Sequence, residues 1–333
     1  MHLPVDGNEE ARSHQYVWNI SHRNDKRVTM SRIRTVKAKK ACLLALCLII
    51  TAIFNASCMS PQQEYQEVSA PGPPLKVICT TLPLYTFTAH VIITRQNISL
   101  EMLVPPKRDV DLRTYTLTPD DTERLKVAKL LIINGLGLEG GIPEAAMKAN
   151  PSLIIVDCSK GIDAIQTKEG AANPYIWMSP GCAVVQVKTI QDAMIAVDKA
   201  GEKEISRKSS DYVKTLEKLE KGFDGLCASK RVIAGGDFAA YLARGCSMEI
   251  VQTLNAEETE KIKSSPEQAL KDNNASAVLL PSAGTVKSTP PLLYLDTCLK
   301  GSTYPDNYEK SMQKNLDTIR KAFPESSAEK KEK

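Results

Sequence analysis

Histidine carries most metal and acid–base chemistry in proteins, and this 333-residue chain has four: His2, His14, His22 and His90. Three of them precede an apolar run at residues 41–54, so the body of the chain holds one. Any mechanism needing two imidazoles in the body is excluded. A Ser–His or Cys–His nucleophile would have to use His90. That residue falls at the end of a helix expected over Pro83–Val91, where a surface or hydrogen-bonded histidine is the simpler account. Asp120 and Asp121 stand in the first turn of another expected helix and suit its dipole better than a catalytic pair. Six cysteines follow Cys58: Cys79, Cys158, Cys182, Cys227, Cys246 and Cys298. None forms a CxxC, which speaks against a zinc cluster or a redox motif. Cys79 and Cys158 sit in expected buried strands and fit the core. Gly135-Leu136-Gly137-Leu138-Glu139-Gly140 lacks the full glycine pattern of a dinucleotide loop. Tyr175 could line a cleft, whereas Trp177 suits the core. No catalytic set assembles, and the chain is expected not to be an enzyme.

The elements that must position these residues alternate. Short apolar runs at Leu75–Thr80, Ile98–Val104, Leu130–Asn134 and Ser152–Asp157 fit strands, with helical segments between them. Thr118-Pro119-Asp120-Asp121 is a helix start, with Thr at the N-cap, Pro at the first position and acids in the first turn. Residues 181–226 carry almost no strand signal. There Ile205, Tyr212, Leu216, Leu219, Phe223 and Leu226 recur at spacings of seven, four, three, four and three, the mark of one long amphipathic helix. The pattern then repeats, with strands at Arg231–Ala234, Met248–Val251, Ala277–Leu280 and Leu292–Leu295. Ser265-Pro266-Glu267-Gln268 has the form of a capping box, and Tyr308, Met312, Leu316, Ile319 and Phe323 mark a last helix. The expected fold is two α/β lobes with parallel sheets joined by one long rigid helix. Its parts are an N-terminal lobe at 75–180, a connecting region at 181–228 and a C-terminal lobe at 229–323, followed by a charged tail at 324–333 expected to be disordered.

Charge and hydropathy along residues 1–74 concern export. Nine of the 43 Lys/Arg and four of the 39 Asp/Glu lie in residues 1–57, which leaves 34 basic against 35 acidic residues from Cys58 onward. The body is near neutral, without the basic stripe that nucleic acid requires. Five basic residues from Arg32 to Lys40 precede the 14-residue apolar run, as in a secretory signal too short to span a membrane comfortably. Asn55-Ala56-Ser57-Cys58 resembles a lipobox, with Asn55 atypical, and makes Cys58 the expected acylated N-terminus. An uncleaved anchor and a conventional cleavage site are the alternatives. A signal of normal length runs from Met30, so residues 1–29 are expected to be a mis-assigned extension and 30–57 the signal peptide. Residues 58–74 are polar and Pro-rich, suited to a tether. The expected location is extracytoplasmic, facing the periplasm or cell exterior, with a lipid anchor in the membrane.

Five strings, in order, resemble the zinc- and manganese-type solute-binding proteins of bacterial ABC transporters. They are Leu103-Val104-Pro105-Pro106 with Asp111-Leu112-Arg113-Thr114-Tyr115 and Thr118-Pro119-Asp120-Asp121; Asn134 to Gly140; Asn173-Pro174-Tyr175-Ile176-Trp177-Met178-Ser179-Pro180; Asp237-Phe238-Ala239-Ala240-Tyr241-Leu242; and Asn315-Leu316-Asp317-Thr318-Ile319. Each string is weak alone; their order covers Leu75 to Phe323. The resemblance implies two α/β lobes bridged by a rigid helix, a single metal ion between them, and an ABC permease and its ATPase as partners of a monomer.

The resemblance also implies four ligand positions, and most are vacated here. Two family histidines fall on Arg113 and Tyr175, a His or Glu on Gly236, and an acidic residue on Asp296. Arg113 stays protonated and has no lone pair to give. Tyr175 would have to ionise from a pKa of about 10. Gly236 has no side chain. Only Asp296 keeps ligand chemistry, and weakly bound Zn, Mn or Fe is the most that is expected. Cys298 could help only with partners that the sequence does not identify. The short connection Pro281–Pro291 stands where the family has a full helix. Arg113 either pairs with Asp296 across the cleft, closing the lobes without metal, or points to solvent at a decayed site. The expected function is a solute-binding lipoprotein of a metal-type importer with weak or lost metal binding. A non-transport lipoprotein that reuses the scaffold for structural or adhesive contacts is the alternative, and an organic or anionic ligand drawn by Arg113 is a third possibility.

Overall fold

The structure is a computed structural model that describes residues 73–282 and 291–324, apart from Lys107 and Asp109. The signal and its start at Met30, the lipidation site Cys58, most of the tether, most of the Pro281–Pro291 connection and the tail from Glu325 lie outside the described residues.

The N-terminal sheet contains β1 (Leu75–Cys79), β2 (Ile98–Met102), β3 (Leu130–Ile133) and β4 (Ile154–Asp157), all parallel in the order β2-β1-β3-β4. Between them run α1 (Leu82–Ile92), α2 (Pro119–Lys126) and α3 (Ile142–Ala149). The C-terminal sheet repeats the order with β5 (Arg231–Ala234), β6 (Glu249–Thr253), β7 (Ala277–Ser282) and β8 (Leu292–Asp296), parallel as β6-β5-β7-β8. Its helices are α6 (Ala240–Gly245), α7 (Ala256–Ser264) and α8 (Pro266–Asp272); α9 (Asn307–Ala322) closes the described chain. Strands covered on both faces must be apolar on both, which is why VIC at Val77–Cys79, LLII and AVLL are continuous runs rather than alternations.

The two faces of each sheet enter different cores. Val77, Cys79, Leu130 and Ile132 face one way, while Ile78, Leu131 and Ile133 pack on the α2–α3 side. In the other sheet Val232, Ala234 and Leu279 face inward and Ile233, Val278 and Leu280 pack toward α7 and α8. The inward faces of both sheets belong to one apolar cluster that also includes Phe87, Met194, Leu216 and Tyr308. The lobes are therefore fused through a shared core rather than strung on a flexible linker.

The long helix is α5 (Glu202–Phe223), 22 residues. Ile205, Tyr212, Leu216, Leu219 and Phe223 are buried along it, as the spacing requires. The long helix expected on the Ile205–Leu226 seam is this one, ending at Phe223, and a separate 18-residue helix, α4 (Pro180–Val197), precedes it in the connecting region. The break is local. Asp198 adopts φ −130°, ψ 66°, and Lys199–Gly201 forms a 3-10 turn. The Asp198 carboxylate accepts bonds of 2.7 and 3.0 Å from Arg95, pinning the turn to the N-terminal lobe. A correction concerns Ser265, whose side chain makes no cap on α8. The capping box of this region lies at the start of α7, between Asn255 and Glu258.

Candidate functional site

The loop after β2 carries Arg113, and its shape follows from the residues around it. Asp121 is the anchor. Its Oδ2 accepts from the Tyr115 hydroxyl at 2.6 Å, from the Thr118 amide at 2.9 Å and from the Thr118 hydroxyl at 2.7 Å. The Thr118 side chain in turn accepts from the Asp121 amide, so the expected N-cap also forms a reciprocal capping box. Burial pushes the Asp121 carboxyl up, but these bonds and Arg124 outweigh it and hold it below its usual value. From below, Gly140 supports the loop. A Cβ on Gly140 would lie 2.1 Å from the Arg113 carbonyl oxygen, and its φ of +50° suits glycine. Within the same glycine-rich turn the buried Glu139 accepts from the Thr80 hydroxyl at 2.6 Å and from the amides of Asn134 and Gly135 at 2.7 and 3.1 Å. The Gly135–Gly140 string is thus a structural support for the two loops above it.

The string from Asn173 to Trp177 clasps the lobes. Asn173 donates to the Asp237 carbonyl at 2.8 Å and its own carbonyl accepts from the Tyr241 hydroxyl at 2.8 Å. The Trp177 indole donates to the Thr297 carbonyl at 2.9 Å, and the Tyr308 hydroxyl donates to the Trp177 carbonyl at 2.7 Å. Trp177 is fully buried, as expected. His90 is likewise accounted for: its ring stacks on Tyr212 at 3.8 Å, and Nε2 meets the Pro305 carbonyl at 2.9 Å and Glu309 at 3.0 Å.

A cleft of about 420 Å3 opens between the loops at the carboxyl ends of the N-terminal strands and the segment after β8. Arg113 and Tyr175 both line it, with Thr81, Arg108 and Asp111 from the N-terminal lobe and Lys300 from the C-terminal lobe. Gly236 and Asp296 do not form its described walls. At Gly236 φ is +127°, and an added Cβ would meet only Phe238, at 3.8 Å.

The expected pairing of Arg113 with Asp296 does not form. Asp296 is buried, and its two carboxylate oxygens accept from the Cys298 amide at 2.9 Å and the Ser311 hydroxyl at 3.1 Å. Its backbone is held on both sides by Asn315, at 2.7 and 2.9 Å. Arg113 is half-exposed and reaches Asp111 at 3.8 Å. The carboxylate it influences across the lobes is Asp237: burial and Glu169 push that group up, while Arg113 and Lys168 pull it back. The string ending at Ile319 therefore supplies Asn315 as a brace for β8. Among the described residues no three His, Cys, Asp or Glu side chains gather as a metal-ligand set. A transition-metal ion requires several lone-pair ligands converging. The sequence missed Thr81 and Lys300 as cleft residues, since nothing in their local pattern marks them.

The family model described as zinc-uptake complex component A, periplasmic, matches residues 77–322. The chain belongs to this family. A manganese ABC transporter substrate-binding lipoprotein, PsaA of Streptococcus anginosus, is 25% identical over 307 residues, covering 82% of this chain and 96% of the relative. The iron ABC transporter substrate-binding lipoprotein MtsA of Streptococcus pyogenes serotype M1 is 26% identical over 308 residues, with the same coverage of 82% and 96%. Among solved structures, an FpvC mutant from Pseudomonas aeruginosa superposes with TM-score 0.64 at 20% identity, over 76% of this chain and 100% of that one. A zinc-bound deletion mutant of ZnuA gives 0.60 at 19%, over 76% and 99%. The structural likeness concerns the fold, and it agrees with the two parallel sheets and long helix expected from the sequence.

Proposed function

We propose that the chain is the extracytoplasmic solute-binding lipoprotein of a metal-type ABC importer, with transition-metal binding weakened or lost. Family membership and the manganese and iron transporter relatives support the importer assignment. Its partners are then an ABC permease and ATPase, and Cys58 is its lipid attachment point. The observation that carries the second half is the chemistry at the four family-equivalent positions. Arg113 brings a fixed positive charge, Tyr175 a neutral phenol, Gly236 nothing, and Asp296 a carboxylate already bonded to Cys298 and Ser311. A cation placed beside Arg113 would be repelled rather than held.

Elemental analysis of the purified full chain tests this, together with thermal unfolding in added Zn2+, Mn2+ and Fe2+. A ligand at a hundred times its Kd stabilises by about 2.7 kcal/mol, which such a measurement resolves. The expected result is no stoichiometric metal and no specific shift. Stoichiometric metal that is lost in Asp296→Asn would overturn the proposal.

A further inference from the structure

Two lobes that share a cleft need something to fix their spacing, and here the chain itself supplies a tie. The segment between β4 and Tyr175 turns back as a hairpin. The Asn173 amide donates to the Ile165 carbonyl at 2.8 Å, Gln166 and Ala172 form an antiparallel bridge, and the Thr167 amide donates to the Ala171 carbonyl at 2.7 Å. This hairpin leaves the N-terminal lobe and lands on the C-terminal one. The Lys168 ammonium donates to the carbonyl of Thr253, at the end of β6. The Asn173 side chain reaches the carbonyl of Asp237, just past β5, at 2.8 Å. Arg244 on α6 meets the Asp163 carbonyl at 3.4 Å and its carboxylate at 3.7 Å.

Tyr241 is the centre of the tie. It stands on α6 and is fully buried. Its hydroxyl accepts from the Ile165 amide at 3.1 Å and donates to the Asn173 carbonyl at 2.8 Å. In an antiparallel hydrogen-bonded pair the two residues exchange both amide–carbonyl bonds directly. Ile165 and Asn173 exchange one, and a hydroxyl from the opposite lobe is inserted into the other. The neck of the hairpin is therefore complete only while the lobes are together. Buried amides and carbonyls are nearly always bonded, so withdrawing Tyr241 disturbs both groups. Asn173 also accepts the Tyr175 amide on its side-chain oxygen at 3.0 Å, which carries the tie into the cleft wall. The shared core already joins the lobes through Phe87, Met194, Leu216 and Tyr308, on α1, α4, α5 and α9. A single seam leaves a pivot. The hairpin is a second attachment, at the carboxyl ends of β5 and β6, and two attachments remove that freedom.

We propose that residues 163–173 are a strap that holds the lobes in one fixed arrangement without any bound solute, and that the Tyr241 hydroxyl is its pin. The inference rests on the preceding reading, since a receptor whose ligand positions are vacated cannot rely on an ion to set the spacing of its lobes. It adds that solute enters a preformed cleft.

Spin labels on introduced cysteines read the spacing of the lobes. Glu123→Cys on α2 and Lys261→Cys on α7 are at exposed positions on the outer side of each lobe, and the six described native thiols are buried. Cys42, Cys47 and Cys58 are replaced by Ser so that only the introduced thiols react. Dipolar EPR is recorded on the purified full chain, treated with EDTA or with added Zn2+. The metal-free parent is expected to give one narrow distance, unchanged by zinc. Tyr241→Phe keeps the ring and removes only the hydroxyl. It should add a longer distance, and the amides of 163–173 should exchange about fivefold faster or more. Lys168→Gln, at an exposed position, should broaden the distribution less. The proposal is overturned if the metal-free parent already gives a broad distribution, or if Tyr241→Phe gives the parent's. Should Tyr241→Phe not fold, Lys168→Gln decides alone: broadening supports the strap, and the parent's distribution overturns it. The two claims fail separately. Stoichiometric zinc with an unchanged narrow distance sinks only the weakened-metal reading, whereas a broad distribution that zinc neither binds to nor alters sinks only the strap.

Discussion

The hydroxyl of Ser311 on α9 donates to Oδ2 of Asp296 at the end of β8, 3.1 Å away. With the Cys298 amide on Oδ1, this makes Asp296 a brace between the last strand and the last helix. Replacing it by Ala leaves the Cys298 amide and the Ser311 hydroxyl unpaired in a buried place, and the expected loss is about 1–3 kcal/mol. Asp296→Asn keeps one acceptor and should lose less. Urea unfolding of both variants checks the order, and a variant as stable as the parent would remove the bracing role.

Glu139 gives a pH dependence of defined sign. Burial pushes its carboxyl above the usual range, and the bonds from Thr80, Asn134 and Gly135 only partly offset this. The folded protein then binds the proton more tightly than the unfolded chain does. The contribution of Glu139 to stability is full below the unfolded pKa of about 4.3 and is lost as pH rises through the raised folded value. In Glu139→Gln that decline should vanish. The difference in unfolding free energy between parent and variant, followed from acid to neutral pH, is the measurement. A difference that is flat or rises with pH would contradict the assignment. Asp121, held low, acts in the opposite direction, which is why the comparison has to be made between parent and variant.

Most of the fold was legible because strands buried on both faces must be continuously apolar, and the runs VIC, LLII and VIA within β1, β3 and β5 could be little else. The seam of α5 was legible for the same reason, since one polar face leaves a period of 3.6. The neighbouring α4 was read only as part of a region with almost no strand signal. Its ends are set by Ser179, which caps the Cys182 amide, and by Asp198, whose partner Arg95 is 103 residues away. The capping box drawn at Ser265 shows the limit of local motifs, because the residue adopts φ −154°, ψ 69° and its side chain bonds to no helix amide. At the cleft, Arg113 and Tyr175 were found by the strings that contain them, yet the bonds that occupy Asp296 come from Cys298 and Ser311, and no one-dimensional pattern announces them.

The cysteines should be chemically silent in the native protein. All six described thiols are free and buried. Burial pushes Cys79 up to about 12 and Cys227 to about 11, and it raises Cys158, Cys182, Cys246 and Cys298 as well. The thiolate is the reactive form, so at neutral pH its fraction at these positions is small. Iodoacetamide is expected to label none of the six until the chain is unfolded. Mass spectrometry of native and urea-treated samples would reveal a native-state adduct, and such an adduct would show that one of these sites opens.

Gly137 and Gly140 share a loop but should respond differently to the same substitution. Both have positive φ, +77° and +50°, so an alanine at either bears backbone strain of about 1 kcal/mol or more. At Gly137 a Cβ meets nothing within 4 Å, and strain is the whole cost. At Gly140 it would lie 2.1 Å from the Arg113 carbonyl, a backbone atom that cannot swing aside alone. Overpacking of this kind adds about 1–3 kcal/mol. Gly140→Ala should therefore unfold at a clearly lower temperature than Gly137→Ala. The geometry also demands a second effect, because relief of the overlap must move the Arg113 loop. Backbone amides around Arg113 in Gly140→Ala should thus exchange with solvent faster even where the protein remains folded, while in Gly137→Ala they exchange as in the parent. Equal melting temperatures and equal exchange rates in the two variants would mean that the Arg113 loop does not rest on Gly140 in solution.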